Sequence, residues 1–363
     1  MIIAGEASGD LYGARLIGAF RTLRPEARFF GIGGDLMRAE GAELLYHTSQ
    51  TAIMGFVEVA RRYPFFKEMF TDCEQQYHER RPDAVVLIDY PGFNLRFAKK
   101  VKEAGGRVLY YISPQVWAWG KNRARKMIGL IDHLACVFPF EEKLFNEIGI
   151  PTTFVGHPLV EILETVDRGD FISAHGLPSD QPILGLFPGS REQEIARLLP
   201  SMLAGARLVR KRTGCTIAIG AARLPDNLYE PHLRGTHNVH IIRDATHALM
   251  QHSHAAVVAS GTATVETAWY ETPMVIVYRA SWLNYEIGKR LVNVKNIGMV
   301  NILAGRRIVP ELLQKDVRAE YIAQYILPFF NDDKRRNATI ADLRRVKEQL
   351  GKSGASQRTA EIL

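Results

Sequence analysis

Residues 1–10, MIIAGEASGD, set a short apolar run, Met1 to Ala4, directly against a turn holding Gly5, Glu6, Ser8, Gly9 and Asp10. Followed by the amphipathic stretch LYGARLIGAFRTL, this reads as a strand-to-helix corner. Gly5 and Gly9 offer backbone conformations closed to other residues, and Asp10 is placed to cap a helix from Leu11 to about Leu23. An ordinary βα turn has the same look. A dinucleotide fingerprint fits poorly, because the glycines are spaced Gly-x-x-x-Gly and the next strand, ARFFGIGGD, ends in glycines where a ribose-binding acid would stand.

The alternation of short apolar runs and amphipathic stretches continues outward from this corner. Strands are expected at 1–4, 28–31, 84–88, 107–112, 134–137 and 152–155, then at 183–187, 216–219, 239–242, 255–259 and 274–278. The polar stretch 161–181 separates the two series. The predicted architecture is α/β: two doubly wound Rossmann-like domains, 1–165 and 166–331, facing a cleft. The tail 332–363, with DLRRVKEQL, reads as a last amphipathic helix docking on a neighbouring N-terminal domain, which allows a homodimer.

A chain of 363 residues, 47% of them hydrophobic, is long enough for two cores. The net charge of +7 favours an anionic partner: a nucleotide, a nucleic acid or an acidic membrane surface. Cys73, Cys136 and Cys215 are far apart and signal neither a disulfide framework nor a zinc site, so a reducing cytoplasm is the simplest compartment. No signal-peptide pattern precedes the first strand, and no apolar run approaches the ~20 residues of a spanning helix, so membrane contact is expected to be peripheral.

In doubly wound sheets ligands sit beyond the carboxyl ends of the strands, which makes the other corners informative. In VVLIDYPGFN, Asp89 ends an apolar strand while Asn94 is available to cap the helix that follows, leaving Asp89 to act as a general base or merely as a turn former. Trp117 and Trp119 precede Lys121, Arg123, Arg125 and Lys126, a pattern better suited to a cleft wall with a basic rim than to nucleic acid. Upstream, Phe56, Phe65, Phe66, Met69 and Phe70 crowd beside Arg61, Arg62 and Lys67, either as the buried face of a helix or as a membrane or acyl-chain patch. In ILGLFPGSREQE, Ser190 and Gln193 have capping-box spacing, and Arg191 with the free amides of the helix start could hold a diphosphate. In ASGTATVE, Ser260, Gly261 and Thr262 let a ligand approach the backbone, and Glu266, one turn on, could accept hydrogen bonds from ribose hydroxyls. No Asp-x-Asp motif is present, so no metal and no cofactor are expected.

The ordered set GEASGD, GIGGDLM, MGFVEV, IDYPGFN, SPQVWAW, VGHP, FPGSREQE, ASGTATVE and NILAGR resembles the bacterial lipid-A-disaccharide synthases over nearly the whole chain. The resemblance implies a GT-B fold and an inverting hexosyltransferase that joins UDP-2,3-diacylglucosamine to 2,3-diacylglucosamine 1-phosphate (lipid X), releasing UDP, at the cytoplasmic face of the inner membrane. It implies Asp89 as the catalytic aspartate, Arg191 at the diphosphate with Ser190 beside it, Glu266 at the ribose, Asn301 of NILAGR near the UDP, and Glu6 and Ser8 lining the reaction cleft. Phe187 and Val300 depart from the leucine and proline usual in the family, and MIIA is short for a first strand, which implies a natural start a few residues earlier. A UDP-N-acetylglucosamine epimerase of the same fold and a non-catalytic membrane-binding protein remain as alternatives.

Overall fold

The computed structural model describes residues 1–51, 62–114, 124–222, 224–233, 239–280 and 296–363. Strands β1 (Ile2–Ala4), β2 (Phe30–Gly33), β3 (Glu43–His47), β4 (Val85–Ile88), β5 (Val108–Tyr111), β6 (His133–Cys136) and β7 (Thr152–Phe154) form a seven-stranded sheet in the order 3-2-1-4-5-6-7. Strands β8 (Ile183–Phe187), β9 (Thr216–Gly220), β10 (Val239–Ile242), β11 (Ser253–Ala259), β12 (Met274–Tyr278) and β13 (Glu311–Leu313) form a six-stranded sheet in the order 10-9-8-11-12-13. Every pairing is parallel.

Helices cover both faces of a parallel sheet, so its inner strands are written as unbroken apolar runs. VVLI, VLYY and ILGLF are buried along their whole length. The two strands not expected from sequence lie at sheet edges and lack such a run: β3 is ELLYH with an exposed first residue, and β13 is the three-residue ELL. β2 starts two residues later than expected and passes through Gly31, whose φ of +148° and close approach to β1 leave no room for a side chain. A Cβ there would sit 2.0 Å from the Ile2 carbonyl oxygen.

The chain folds as two compact units, the described parts of Met1–Glu161 with Leu350–Leu363, and of Ile162–Trp282 with Val294–Gln349. The first unit has a core built from Ile3, Leu87, Tyr110, Phe97 and Met69, among others. In the second, the helix Glu192–Thr213 packs on the helix Ala319–Asn331 so closely that a Cβ on Gly205 would meet Ile322 Cγ2 at 2.7 Å.

The tail departs from expectation. It is two helices, Asp333–Gln349 and Ala355–Ile362, separated by Gly351 and Gly354 at φ of +78° and +99°. The first is tied into the second unit by Arg344 to Glu271 at 2.8 Å and by Arg306 to Asp342 at 2.6 Å. The second packs on the helix Ala7–Leu23 of its own chain. Its Ser356 amide and hydroxyl donate to Glu161 at 2.8 and 2.7 Å, and Arg358 donates to the Val155 carbonyl at 2.8 Å. Within the single chain the last helix therefore packs on the first unit.

Candidate active site

In the first sheet strand order reverses between β1 and β4, and in the second between β8 and β11. The loops after these four strands are GEASGD, DYPGFN, PGSREQE and SGT, so each unit brings two of the corners singled out above to its topological switch point, where doubly wound sheets bind ligands.

In the first unit the two corners interlock. Neither Gly5 nor Gly9 has a positive φ, contrary to expectation; their role is to admit neighbours. A Cβ on Gly5 would lie 2.3 Å from the Tyr90 ring, and one on Gly9 would lie 3.1 Å from Ala4 Cβ. The helix starts at Ala7, with Glu6 as N-cap, so Asp10 does not cap it. Asp10 instead lies buried inside the first turns and accepts from the amides of Gly34 (2.7 Å), Leu36 (3.1 Å) and Met37 (3.0 Å), capping the short helix Asp35–Ala39 that follows β2. Glu6 and Ser8 remain exposed at the corner.

Asp89 and Tyr90 both hold left-handed backbone conformations, φ +45° and +47°, a strained pair for side-chain-bearing residues and of the kind concentrated at functional sites. The pair is locked from below. Asn94 Nδ2 donates to the carbonyls of Asp89 (2.8 Å) and Ile88 (3.2 Å), and the Tyr110 hydroxyl donates to the Asp89 carbonyl. Asn94 is therefore no N-cap: the helix begins at Pro91, and the buried amide pins the strand end behind it. Dense surrounding protein, and next the negative charge of Glu6, push the Asp89 carboxyl up to about 6, against the pull of the Tyr90 amide. Its side chain also keeps an exposed face at the corner.

In the second unit the turn after β8 is closed by Glu194, an acid that the sequence marks only as suiting the helix dipole and as repelling a phosphate aimed at it. Glu194 Oε2 accepts from the Ser190 amide at 3.1 Å, and Oε1 pairs with Arg191 Nη1 at 3.1 Å. Arg191, not Ser190, is the N-cap of the helix Glu192–Thr213, so the Ser190–Gln193 capping box does not form. Gly189 permits the turn at φ +108°, and a Cβ there would meet Glu194 Oε2 at 2.2 Å. The signal was available: Glu194 is four residues beyond Ser190, one helical turn.

After β11, the Ser260 amide donates to the Val277 carbonyl at 2.9 Å, and Gly261 and Thr262 are exposed with open space above Gly261. Glu266, one turn into the helix Thr262–Trp269, is 19% exposed and lies 3.6 Å from His247 Nε2, a neighbour not foreseen. Asn301 behaves differently from expectation. It is fully buried; its Nδ2 donates to Val309 O (2.9 Å) and Glu311 Oε1 (2.7 Å), and its Oδ1 accepts from the amides of Ile308 (2.8 Å) and Val309 (3.0 Å). Those four bonds use the whole capacity of a side-chain amide, so Asn301 shapes the 306–311 loop and has none to offer a ligand.

The apolar patch divides in the same way. Met69 is fully buried, and Phe70 packs edge-on to Phe93 and Phe97 at 5.3 and 5.7 Å, so both belong to the core. Phe65 and Phe66 are half-buried, with the Arg62 guanidinium 4.9 Å from the Phe65 ring. Phe56, Arg61, Trp117, Trp119, Lys121 and Arg123 lie outside the described residues.

Comparison with known proteins completes the assignment. A family described as lipid-A-disaccharide synthetase matches residues 1–362. The lipid-A-disaccharide synthase of Geobacter metallireducens is 44% identical over 367 residues, covering 100% of this chain and 96% of that protein. That of Coxiella burnetii is 38% identical over 366 residues, covering 100% and 97%. Among solved structures, the UDP-GlcNAc 2-epimerase from Neisseria meningitidis bound to UDP-GlcNAc superposes with a TM-score of 0.63 at 13% identity over 97% of this chain and 96% of that one. The calicheamicin glycosyltransferase does so with a TM-score of 0.60 at 14% identity over 99% and 95%. Those two likenesses are of fold, whereas the full-length sequence matches carry the assignment: the chain belongs to the lipid-A-disaccharide synthase family, glycosyltransferases of lipid A biosynthesis.

Proposed function

We propose that this chain joins UDP-2,3-diacylglucosamine to 2,3-diacylglucosamine 1-phosphate with inversion at the donor's anomeric carbon. The observation that carries the reading is the Asp89 corner: a carboxylate at a switch point, on a strained backbone held by Asn94 and Tyr110, with its affinity for protons raised. As the acceptor's primary hydroxyl attacks the anomeric carbon, Asp89 takes its proton, the new C–O bond forms, and the bond to UDP breaks with its electron pair leaving on the diphosphate. A base that binds protons more tightly than an ordinary carboxylate is better matched to that transfer near neutral pH.

The second unit is assigned to the nucleotide. Arg191 and the amides of the Ser190 turn would receive the charge that grows on the diphosphate, Ser260–Thr262 would let it approach the backbone, and Glu266 would hold the ribose. Charge supplied by Arg191 and amides needs no divalent ion. A net charge of +7 suits two anionic substrates, and Phe65 and Phe66 beside Arg62 and Lys67 suit peripheral contact with the cytoplasmic face of the inner membrane. No helix among the described residues is long and apolar enough to cross a membrane.

Mass spectrometry after incubation with both diacylated substrates tests the reading. The expected products are a tetraacylated disaccharide 1-phosphate and UDP. Conversion of UDP-N-acetylglucosamine supplied alone, with no disaccharide formed from the acylated pair, would replace it with epimerase chemistry.

A further inference from the structure

At the amino-terminal ends of β8 and β11, the edge of the second sheet opposite the Ser190 and Ser260 turns, lies a cleft of about 430 Å3. Its walls include Arg168, Arg336, His252 and His254, with Asp180 at the rim. The five residues of β8 separate it from the Ser190 turn by ~17 Å at the ~3.4 Å rise of a strand. Its volume falls within the roughly 300–1,000 Å3 of small-molecule sites.

The cations here are not neutralised as those nearby are. On the same C-terminal helix Arg344 and Arg345 pair with Glu271 and Asp342. Arg336, by contrast, has a buried Nε with no hydrogen-bond partner among the described residues, and Arg168 uses Nη1 on the His252 carbonyl at 3.0 Å. Each histidine has its Nε2 against a carbonyl, Val166 O for His252 and Phe329 O for His254, both at 2.9 Å. A carbonyl can only accept, so Nε2 carries the hydrogen and Nδ1 is the nitrogen that takes up a further proton. Two guanidiniums and two such imidazoles around one cleft, with a buried N–H left unsatisfied, make a site for a compact anion.

We propose that this cleft binds a dianionic oxyanion, the phosphoryl group of a soluble phosphoester, at a site separate from the nucleotide's. Arg168 and Arg336 supply charge and donors; His252 and His254 gain a proton as the anion arrives. Burial lowers the proton affinity of both imidazoles; Arg168 lowers it at both, and Arg336 also at His254, while Asp167 at His252 and Asp333 at His254 oppose them. An anion reverses the cationic contribution, so binding takes up protons and tightens as pH falls. Asp180, which also lines the cleft, adds a negative charge that opposes an arriving anion.

Sulfate, which stays dianionic across the range, is the probe for calorimetry on the full chain between pH 5.5 and 8. Binding should strengthen severalfold toward pH 5.5. Arg336→Gln should weaken it tenfold or more, Asp180→Asn should strengthen it, and the exposed neighbour Arg335→Gln should leave it unchanged, with UDP affinity unaltered in all three. Sulfate binding by Arg336→Gln equal to the parent's, or none by the parent, would overturn the proposal; so would loss of UDP affinity together with sulfate, which would place the anion in the nucleotide site. Because Arg168→Gln also removes a bond to the His252 carbonyl, Arg336→Lys, retaining part of the affinity, is the second variant. Binding by the parent to phosphatidylglycerol vesicles that Arg336→Gln abolishes, without sulfate binding in solution, would transfer the site to a lipid headgroup and sink the soluble phosphoester.

Discussion

Asn94 donates to the carbonyl of Asp89, five residues back, at 2.8 Å, and so a fully buried helix residue holds the backbone of the proposed base in a left-handed turn. Asn94→Ala leaves two strand-end carbonyls short of a donor and frees the strained pair to relax. The expected cost is about 1–3 kcal/mol in stability, read by urea unfolding. Turnover should fall while KM for either substrate changes little, because the base is displaced and no substrate contact is removed. Equal changes in KM and turnover would show that Asn94 serves binding instead.

The raised proton affinity of Asp89 gives two pH dependences of opposite benefit. Activity needs the ionised carboxylate, so turnover should rise with unit slope as pH passes upward through about 6. Stability runs the other way. Between the ordinary value of 3.8 and about 6 the folded state binds more protons at Asp89 than the unfolded chain, so this residue's contribution declines as pH rises through that window and stays low above it. Asp89→Asn should therefore melt higher than the parent at pH 8, with the difference closing below pH ~4. The exposed face of the side chain keeps that gain modest. A variant that melts below the parent at pH 8 would contradict the enclosing effect of Glu6 and the surrounding protein.

The corners are legible in sequence because a parallel strand buried on both faces is an apolar run, and the residues just past it stand at the ligand edge whatever the details of packing. That rule alone singles out Asp89, Arg191 and Glu266 as candidates. Partnerships across the fold are not legible that way. Asp10 looks like a cap for the helix it begins, but its acceptors face Gly34, Leu36 and Met37, more than twenty residues away, and only the placing of β2 beside β1 brings them there. Asn94 and Asn301 read as a cap and a ligand contact, yet both are buried amides tying loops, a role decided by burial that composition does not reveal. β3 and β13 escape notice because edge strands need no continuous apolar run.

Asp10→Ala tests the first of these partnerships. Three amides at the start of Asp35–Ala39 lose a charged acceptor in a buried setting, so the expected destabilisation is on the order of 3 kcal/mol by urea or thermal unfolding. Asp10→Asn, which keeps one oxygen acceptor, should recover part of it. A loss below ~0.5 kcal/mol in Asp10→Ala would mean that water replaces the carboxylate without penalty.

Excess EDTA should leave turnover undiminished. The sequence has no Asp-x-Asp pair, and Arg191 with the helix-start amides can offset the leaving group's charge. Collapse of activity restored by magnesium would assign that task to an ion.

Asp89 and Arg191 lie in different units and are separable by experiment. Asp89→Asn keeps the shape of the corner and removes the base, so turnover should fall ~10²–10⁴-fold while UDP binds as before. Arg191→Ala removes a charged donor to the diphosphate, which should weaken UDP by about 1.5–3 kcal/mol, roughly 10- to 150-fold in Kd. Turnover should fall as well, because the same guanidinium would meet the charge that develops on the leaving group. Glu194, 3.1 Å from Arg191, already compensates that charge in the free protein, so the gain on binding UDP is an exchange of one anion for another and the lower half of the range is expected. Calorimetry with UDP and a turnover assay on both variants decide it. Near-normal turnover in Asp89→Asn removes it as the base, and unchanged UDP affinity in Arg191→Ala removes the arginine from the diphosphate.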